Sequence, residues 1–376
     1  MSTAGIIFSN VHDSHISELT QYRSMASVPF ACRYRFIDFT LSNFVNSEIS
    51  DIFIITNNNY MSLMNHVGSG KDWDLARRSG GLKILPPNLY GSNFATDGAV
   101  TRLNSLKNVY TAIAKIPDET VVLADCDGIC NIDFRPIIEE HLKNDADATL
   151  VVQKMYADSE FARNNVIVSS DENGVMTDII SKPTRFEGEA EVCLNLVVMK
   201  TEYLLSVISD AISRGYSSLS LDVFSKGIGR SNLRVYRYDG YFAAFSSLEA
   251  YYRSSMDILN KKQDYDALFG VKFRPIITKV RNSAPSYFSE SSEVKNSMIA
   301  DGCVIEGKVE NSILFRGVKI GKNTTVKNCI LMQDTQVGDD AALRCIISDK
   351  NVIIRDSVIL SGMESHPFFI GKGKII

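Results

Sequence analysis

Ile320-Gly-Lys-Asn-Thr-Thr-Val326 and Val337-Gly-Asp-Asp-Ala-Ala-Leu343 each set two aliphatic residues six apart, with glycine, asparagine or aspartate between them. Ile299 and Ile305 repeat the spacing, Ile354 continues it, and Gly302, Gly307, Gly317, Gly321 and Gly338 supply turn positions. A short strand that offers one aliphatic residue and then turns cannot bury that residue alone. Stacked coils can, which makes such a period the mark of a parallel β-helix. The pattern therefore predicts a left-handed β-helix over residues 289–376, with an antiparallel sandwich of similar strand spacing as the alternative.

Upstream the rhythm is different. Short apolar runs at Gly5–Ser9, Ile52–Thr56, Thr120–Ala124, Thr149–Lys154 and Cys193–Met199 alternate with helical periodicity. Phe134–Lys143 groups Ile137, Ile138, His141 and Leu142, and Thr201–Arg214 groups Leu204, Leu205, Ile208 and Ile212. Alternation of this kind predicts an α/β, Rossmann-like domain with a mainly parallel sheet over residues 1–245, whose ligands lie beyond the carboxyl ends of the strands. Ser246–Asn260, with Leu248, Tyr251, Tyr252 and Ile258, reads as a helix within a connection, 246–288, that joins the two parts.

The 376 residues exceed one ordinary core, and 45% hydrophobic with 22% charged residues is a globular rather than a disordered balance. A formal charge of −4 and no basic stripe argue against a nucleic-acid or anionic-membrane partner. Met1-Ser-Thr-Ala-Gly-Ile-Ile-Phe has no basic segment before an apolar run, and no apolar run approaches spanning length, so neither a secretory signal nor a membrane segment is expected. The seven cysteines are scattered, with three residues between Cys126 and Cys130, and read as buried thiols of a cytoplasmic protein rather than as metal ligands.

Glu18-Leu-Thr-Gln-Tyr-Arg-Ser-Met-Ala-Ser-Val-Pro-Phe, and above all Arg33-Tyr-Arg-Phe-Ile-Asp-Phe-Thr-Leu-Ser-Asn-Phe-Val-Asn-Ser, closely resemble the amino-terminal signature of the ADP-glucose pyrophosphorylase (glucose-1-phosphate adenylyltransferase) family. The resemblance runs through nearly the whole chain, to Asp349-Lys-Asn-Val-Ile-Ile. It implies a sugar-phosphate nucleotidyltransferase fold, and it places several substitutions at positions the chemistry uses. Asn10-Val-His-Asp-Ser-His15 stands where the family has a glycine-rich loop and an arginine, so glycine backbone that could approach a pyrophosphate is absent and His15 replaces the arginine. Met25 stands for the lysine of the family's AKP segment.

Val121-Val-Leu-Ala-Asp-Cys-Asp-Gly-Ile-Cys-Asn-Ile-Asp-Phe resembles the family strand whose aspartate holds magnesium. Counting back from Asp133-Phe134 assigns that role to Asp127, with Asp125 as the neighbouring candidate. In Tyr241-Phe-Ala-Ala-Phe-Ser-Ser, Ala244 replaces the second metal-binding aspartate. Ile180-Ser-Lys-Pro keeps Lys182 as the lysine expected to meet glucose 1-phosphate, and Gly98–Asn104 aligns only loosely with an adenine-side segment.

Three missing electrostatic groups, each typically worth about 3 kcal/mol of barrier, imply negligible activity for the chain alone and no metal site of its own. The resemblance is to the GlgD-type branch, which implies a regulatory subunit in a heterotetramer with a catalytic paralogue that carries the magnesium. It also implies a sugar-phosphate or nucleotide effector near Arg33 and Arg35, Arg33 standing where a family lysine approaches an anion. Three other readings compete: a diverged enzyme using Asp125, Asp127 and Asp239; a sensor that binds without reacting; and a β-helix acyltransferase, for which His366 is the only histidine late in the chain.

Overall fold

The computed structural model describes residues 2–78, 80–86, 100–157, 159–181 and 188–376. Among the described residues, nine strands form the amino-terminal sheet: β1 (Thr3–Phe8), β2 (Asp51–Ile55), β3 (Gly81–Leu85), β4 (Thr120–Asp125), β5 (Ala148–Tyr156), β6 (Val166–Ser170), β7 (Met176–Ser181), β8 (Glu189–Lys200) and β9 (Leu233–Arg237). They follow the order β7-β6-β8-β4-β1-β2-β3, and β5 lies between β8 and β9.

The run from β4 through β1 and β2 to β3 is parallel, as the βα rhythm implies. The sheet as a whole is mixed, because β8 runs antiparallel to β4, β5 and β6. β8 is long enough to serve two neighbours on one edge: Leu196–Lys200 pair with β4, and Glu191 and Val192 pair with β6. The register along β5 slips between Cys193 and Val197, where Asn195 takes a left-handed φ of 62°.

The family-like signature turns out to be a structural clamp. α1 (Phe36–Asn46) packs Phe44 so tightly on β1 that a Cβ at Gly5 would lie 2.4 Å from its ring. Asp38 takes the amide of Arg35 and the hydroxyl of Thr278 and pairs with buried His66. Asn43 donates to the Cys130 carbonyl and accepts from the Ile132 amide, so the helix pins the loop that follows β4.

From Tyr287 onward, three five-stranded parallel sheets form the sides of a left-handed β-helix. Ile305, Ile320, Val337 and Ile354 stack along one side, and Val309, Val326, Leu343 and Leu360 along the next. The residues spaced six apart in the sequence thus occupy successive sides, and their side chains fill one apolar core. Between the bodies runs a helix, Leu248–Asn260. Its Tyr251 hydroxyl donates to the Pro29 carbonyl at 2.7 Å, and its Tyr252 hydroxyl to the Asn328 carbonyl of the β-helix at 2.8 Å. A buried ion pair of Arg23 with Asp349, 2.7 and 2.9 Å to the two carboxylate oxygens, joins the same two bodies.

Candidate functional site

The parallel strands β1 and β4 deliver their carboxyl ends side by side, with Phe8 in register with Asp125. After β1 the chain turns through Asn10, which acts as a hub. Asn10 Oδ1 accepts from the Ser9 hydroxyl (2.6 Å) and the Asn57 amide (2.9 Å), while Nδ2 donates to the Asn58 carbonyl (3.0 Å) and Asp13 (2.7 Å). Asp13 also takes the Met25 amide at 2.6 Å, and burial pushes its pKa up to about 6 against those two hydrogen bonds. The amides of Asp13 and His15 donate to the carbonyls of Asn10 and His12. Two of the loop's amides and the side chains of Asn10 and Asp13 are thus engaged within the protein rather than left open to an anion.

His15 is half-buried, its ring 4.8 Å from that of His12. The Met25 side chain is buried in the apolar cluster that includes Ile16, Leu19 and Phe36.

Asp125 and Asp127 are both buried at the end of β4, and the structure joins them to three residues that sequence alone does not single out. His12 Nε2 lies 2.6 Å from Asp125 Oδ2 and 3.5 Å from Asp127 Oδ2. Arg102 Nε lies 2.9 Å from each Asp125 oxygen, and its Nη2 also donates to Oδ2. Asn195 Nδ2 donates to Asp127 at 2.7 Å and to Asn165 at 2.9 Å. Burial pulls the His12 pKa down, but Asp127 and Asp125 overcome it and hold the ring above its ordinary range. Burial would raise Asp125, yet Arg102 and His12 hold it down at about 2. The only sequence signals for the newcomers were weak: His12 lies within the loop that follows β1, and Arg102 within the loosely matching 98–104 segment.

Ala244 sits in the short strand Phe242–Ala244, opposite Gly128 and one residue from Asp127, while the Phe245 amide bonds the Asp127 carbonyl. Ala244 therefore lies beside the carboxylate pair. Asp239 is exposed and lies outside the group of His12, Asp125 and Asp127, whose ligand atoms fall within 4.8 Å of one another. Lys182 lies outside the described residues. His366 is exposed near the end of the β-helix. Six of the seven cysteines are buried; Cys32 is half-buried, because the hairpin that carries it faces a cleft.

That cleft separates the amino-terminal domain from the β-helix. Arg33, Arg35, His66, Arg281, Arg316 and Lys350 all line it. Arg35 is buried and donates to the carbonyl and hydroxyl of Ser62, so it is not an exposed surface arginine. Arg33 is half-exposed, 3.5 Å from Asp301, which also pairs with Arg316. Lys350 has no side-chain hydrogen bond or ion pair among the described residues. Burial, then Arg35 and Arg23, push its pKa down to about 7, with Asp349 opposing them. Arg23 Nη1 is buried with no acceptor among the described residues, although Arg23 is not one of the residues that line this cleft. Excess positive charge and spare donors enclosed in this way form a site suited to a phosphate or other polyanion.

Sequence comparison adds two family matches: nucleotidyl transferase over residues 5–259 and GlmU-like, C-terminal hexapeptide over 284–365. The chain is similar to a glycogen biosynthesis protein GlgD from Bacillus subtilis (strain 168), 32% identical over 371 residues, covering 99% of this chain and 96% of that one. A GlgD protein from Geobacillus stearothermophilus is 36% identical over 372 residues with the same coverage. A glucose-1-phosphate adenylyltransferase from Clostridium perfringens (strain 13 / Type A) is 28% identical over 338 residues, 88% of this chain and 84% of that protein.

Proposed function

Because this chain belongs to the nucleotidyl transferase family, in the branch that holds the GlgD proteins and the glucose-1-phosphate adenylyltransferases, we propose that it is a regulatory, catalytically impaired subunit. It works beside a catalytic glucose-1-phosphate adenylyltransferase chain in making ADP-glucose for glycogen biosynthesis. One observation carries the proposal. The loop after β1 commits the amides of Asp13 and His15 and the side chains of Asn10 and Asp13 to hydrogen bonds within the protein, where a triphosphate would need open donors, so it offers little to a departing pyrophosphate.

Phosphoryl-transfer chemistry leaves the protein mainly positioning and charge stabilisation to perform. A chain with His15, buried Met25 and Ala244 at three of the positions concerned supplies little of either. Magnesium then belongs to the catalytic partner. What this chain retains is the basic interdomain cleft around Arg33, Arg35 and Lys350, and there we place an anionic effector of sugar-phosphate or nucleotide type.

The test is pyrophosphate release by the purified chain, by a catalytic glucose-1-phosphate adenylyltransferase, and by their mixture, at the same ATP, glucose 1-phosphate and magnesium. The chain alone should release none above background, and the mixture should differ from the catalytic chain in maximal rate or half-saturation. Robust turnover by the chain alone overturns the proposal, and so does a mixture indistinguishable from the catalytic chain.

A further inference from the structure

We infer that Arg102 occupies the role of a divalent cation at the Asp125 and Asp127 carboxylates, so that the native chain takes no metal ion there. The residues do not fit a magnesium ion. Magnesium demands near-octahedral oxygen ligands at about 2.0–2.1 Å, each with a lone pair to give. Both Asp125 oxygens already accept from Arg102, and Oδ2 also faces His12 Nε2 at 2.6 Å. Asp127 Oδ2 accepts from Asn195 at 2.7 Å.

The guanidinium cannot give up its charge by losing a proton, so an incoming ion must expel it bodily. Its position is fixed from the backbone up. Arg102 is the first residue of a helix, Arg102–Asn108, whose start Thr101 caps by accepting the Asn104 amide. The Thr101 hydroxyl donates to the Ser217 carbonyl at 2.7 Å, anchoring that end against a neighbouring segment. A positive charge is therefore built into the place where the family resemblance leads one to expect a magnesium ion.

Truncating Arg102 should unmask a cation site, because His12, Asp125 and Asp127 offer three ligand atoms within 4.8 Å of one another. Manganese(II) is the probe, followed by electron paramagnetic resonance of the free ion. The native chain should bind none at millimolar concentration, while Arg102→Ala should bind one ion per chain. Arg102→Gln, which keeps a shorter, uncharged polar side chain, serves if the alanine variant does not fold. Arg102→Lys keeps the charge and should remain empty.

One ion bound by the native chain and lost in Asp125→Asn overturns the inference. Folded Arg102→Ala or Arg102→Gln that still binds no manganese overturns it too, since the guanidinium would not be what excludes the ion. This measurement is silent on assembly and the mixing assay is silent on the native chain's ion, so either proposal can fail without the other.

Discussion

Asn195 holds a left-handed backbone, φ 62°, inside a strand, and its amide bridges Asp127 and Asn165. Asparagine tolerates that conformation better than most residues, and glycine tolerates it at no steric cost. Asn195→Ala should therefore lose both the bridge and the backbone fit, and cost about 2–4 kcal/mol in urea unfolding. Asn195→Gly loses only the bridge and should be the milder change by about 1 kcal/mol. Equal losses would mean that the backbone there is unstrained. At this scale the sequence was partly legible. Asp125 and Asp127 could be named as neighbouring candidates, because a strand end and the loop after it keep a local register. His12 and Arg102 could not, since they reach Asp125 across separations of 113 and 23 residues and nothing in their neighbours announces the contact.

Among elements, the β-helix was the most legible, since each aliphatic beat reports a side and each polar interval a corner. Less visible was how the corners are tied. Asn296 donates to Asn311 at 3.0 Å, Asn311 to Asn328 at 2.8 Å, and Asn328 to Glu364 at 3.1 Å, a ladder climbing coil by coil. All three asparagines have positive φ, which explains why asparagine shares these corners with glycine. Asn311→Ala should cut two rungs and strain one corner, costing about 1–2 kcal/mol in chemical denaturation; no loss would show that neighbouring coils compensate. In the amino-terminal sheet, alternating βα rhythm announced the parallel half. It could not announce β8, whose long apolar run suits either direction and whose antiparallel pairing is decided by two neighbours distant in sequence.

For the whole molecule, two bodies were readable from the change of rhythm near residue 290, but their contact was not, because Arg23 and Asp349 lie 326 residues apart. The cleft between the two bodies has a proton linkage of definite sign. Lys350, facing Arg23, Arg35, Arg281 and Asp349, sits at about 7, so at pH 8 it is mostly neutral. A bound anion favours the charged form and must draw a proton in. Calorimetry with inorganic phosphate or glucose 1-phosphate, in buffers of different ionisation enthalpy, should show proton uptake at pH 8, little at pH 6, and affinity falling as pH rises through 7. Lys350→Gln should abolish the uptake, and binding without proton exchange in the native chain would refute the linkage. For folding the sign is that of a depressed base: the contribution is complete above the ordinary lysine value of 10.5 and is lost as pH falls through about 7.

The adjacent tyrosines of Leu248–Asn260 have a mechanical consequence. Successive helical residues project about 100° apart, and here one ring is fastened to the Pro29 carbonyl and the next to the Asn328 carbonyl. The helix is thus a crankshaft with a bearing in each body, unable to roll about its axis without pulling on both. Just before its first turn, the Phe245 ring stacks on Phe36 at 4.1 Å, and the Phe245 amide grips the Asp127 carbonyl. One short stretch of chain thus touches the β-helix at Asn328 and the loop after β4 at Asp127, so the two places share a continuous set of contacts.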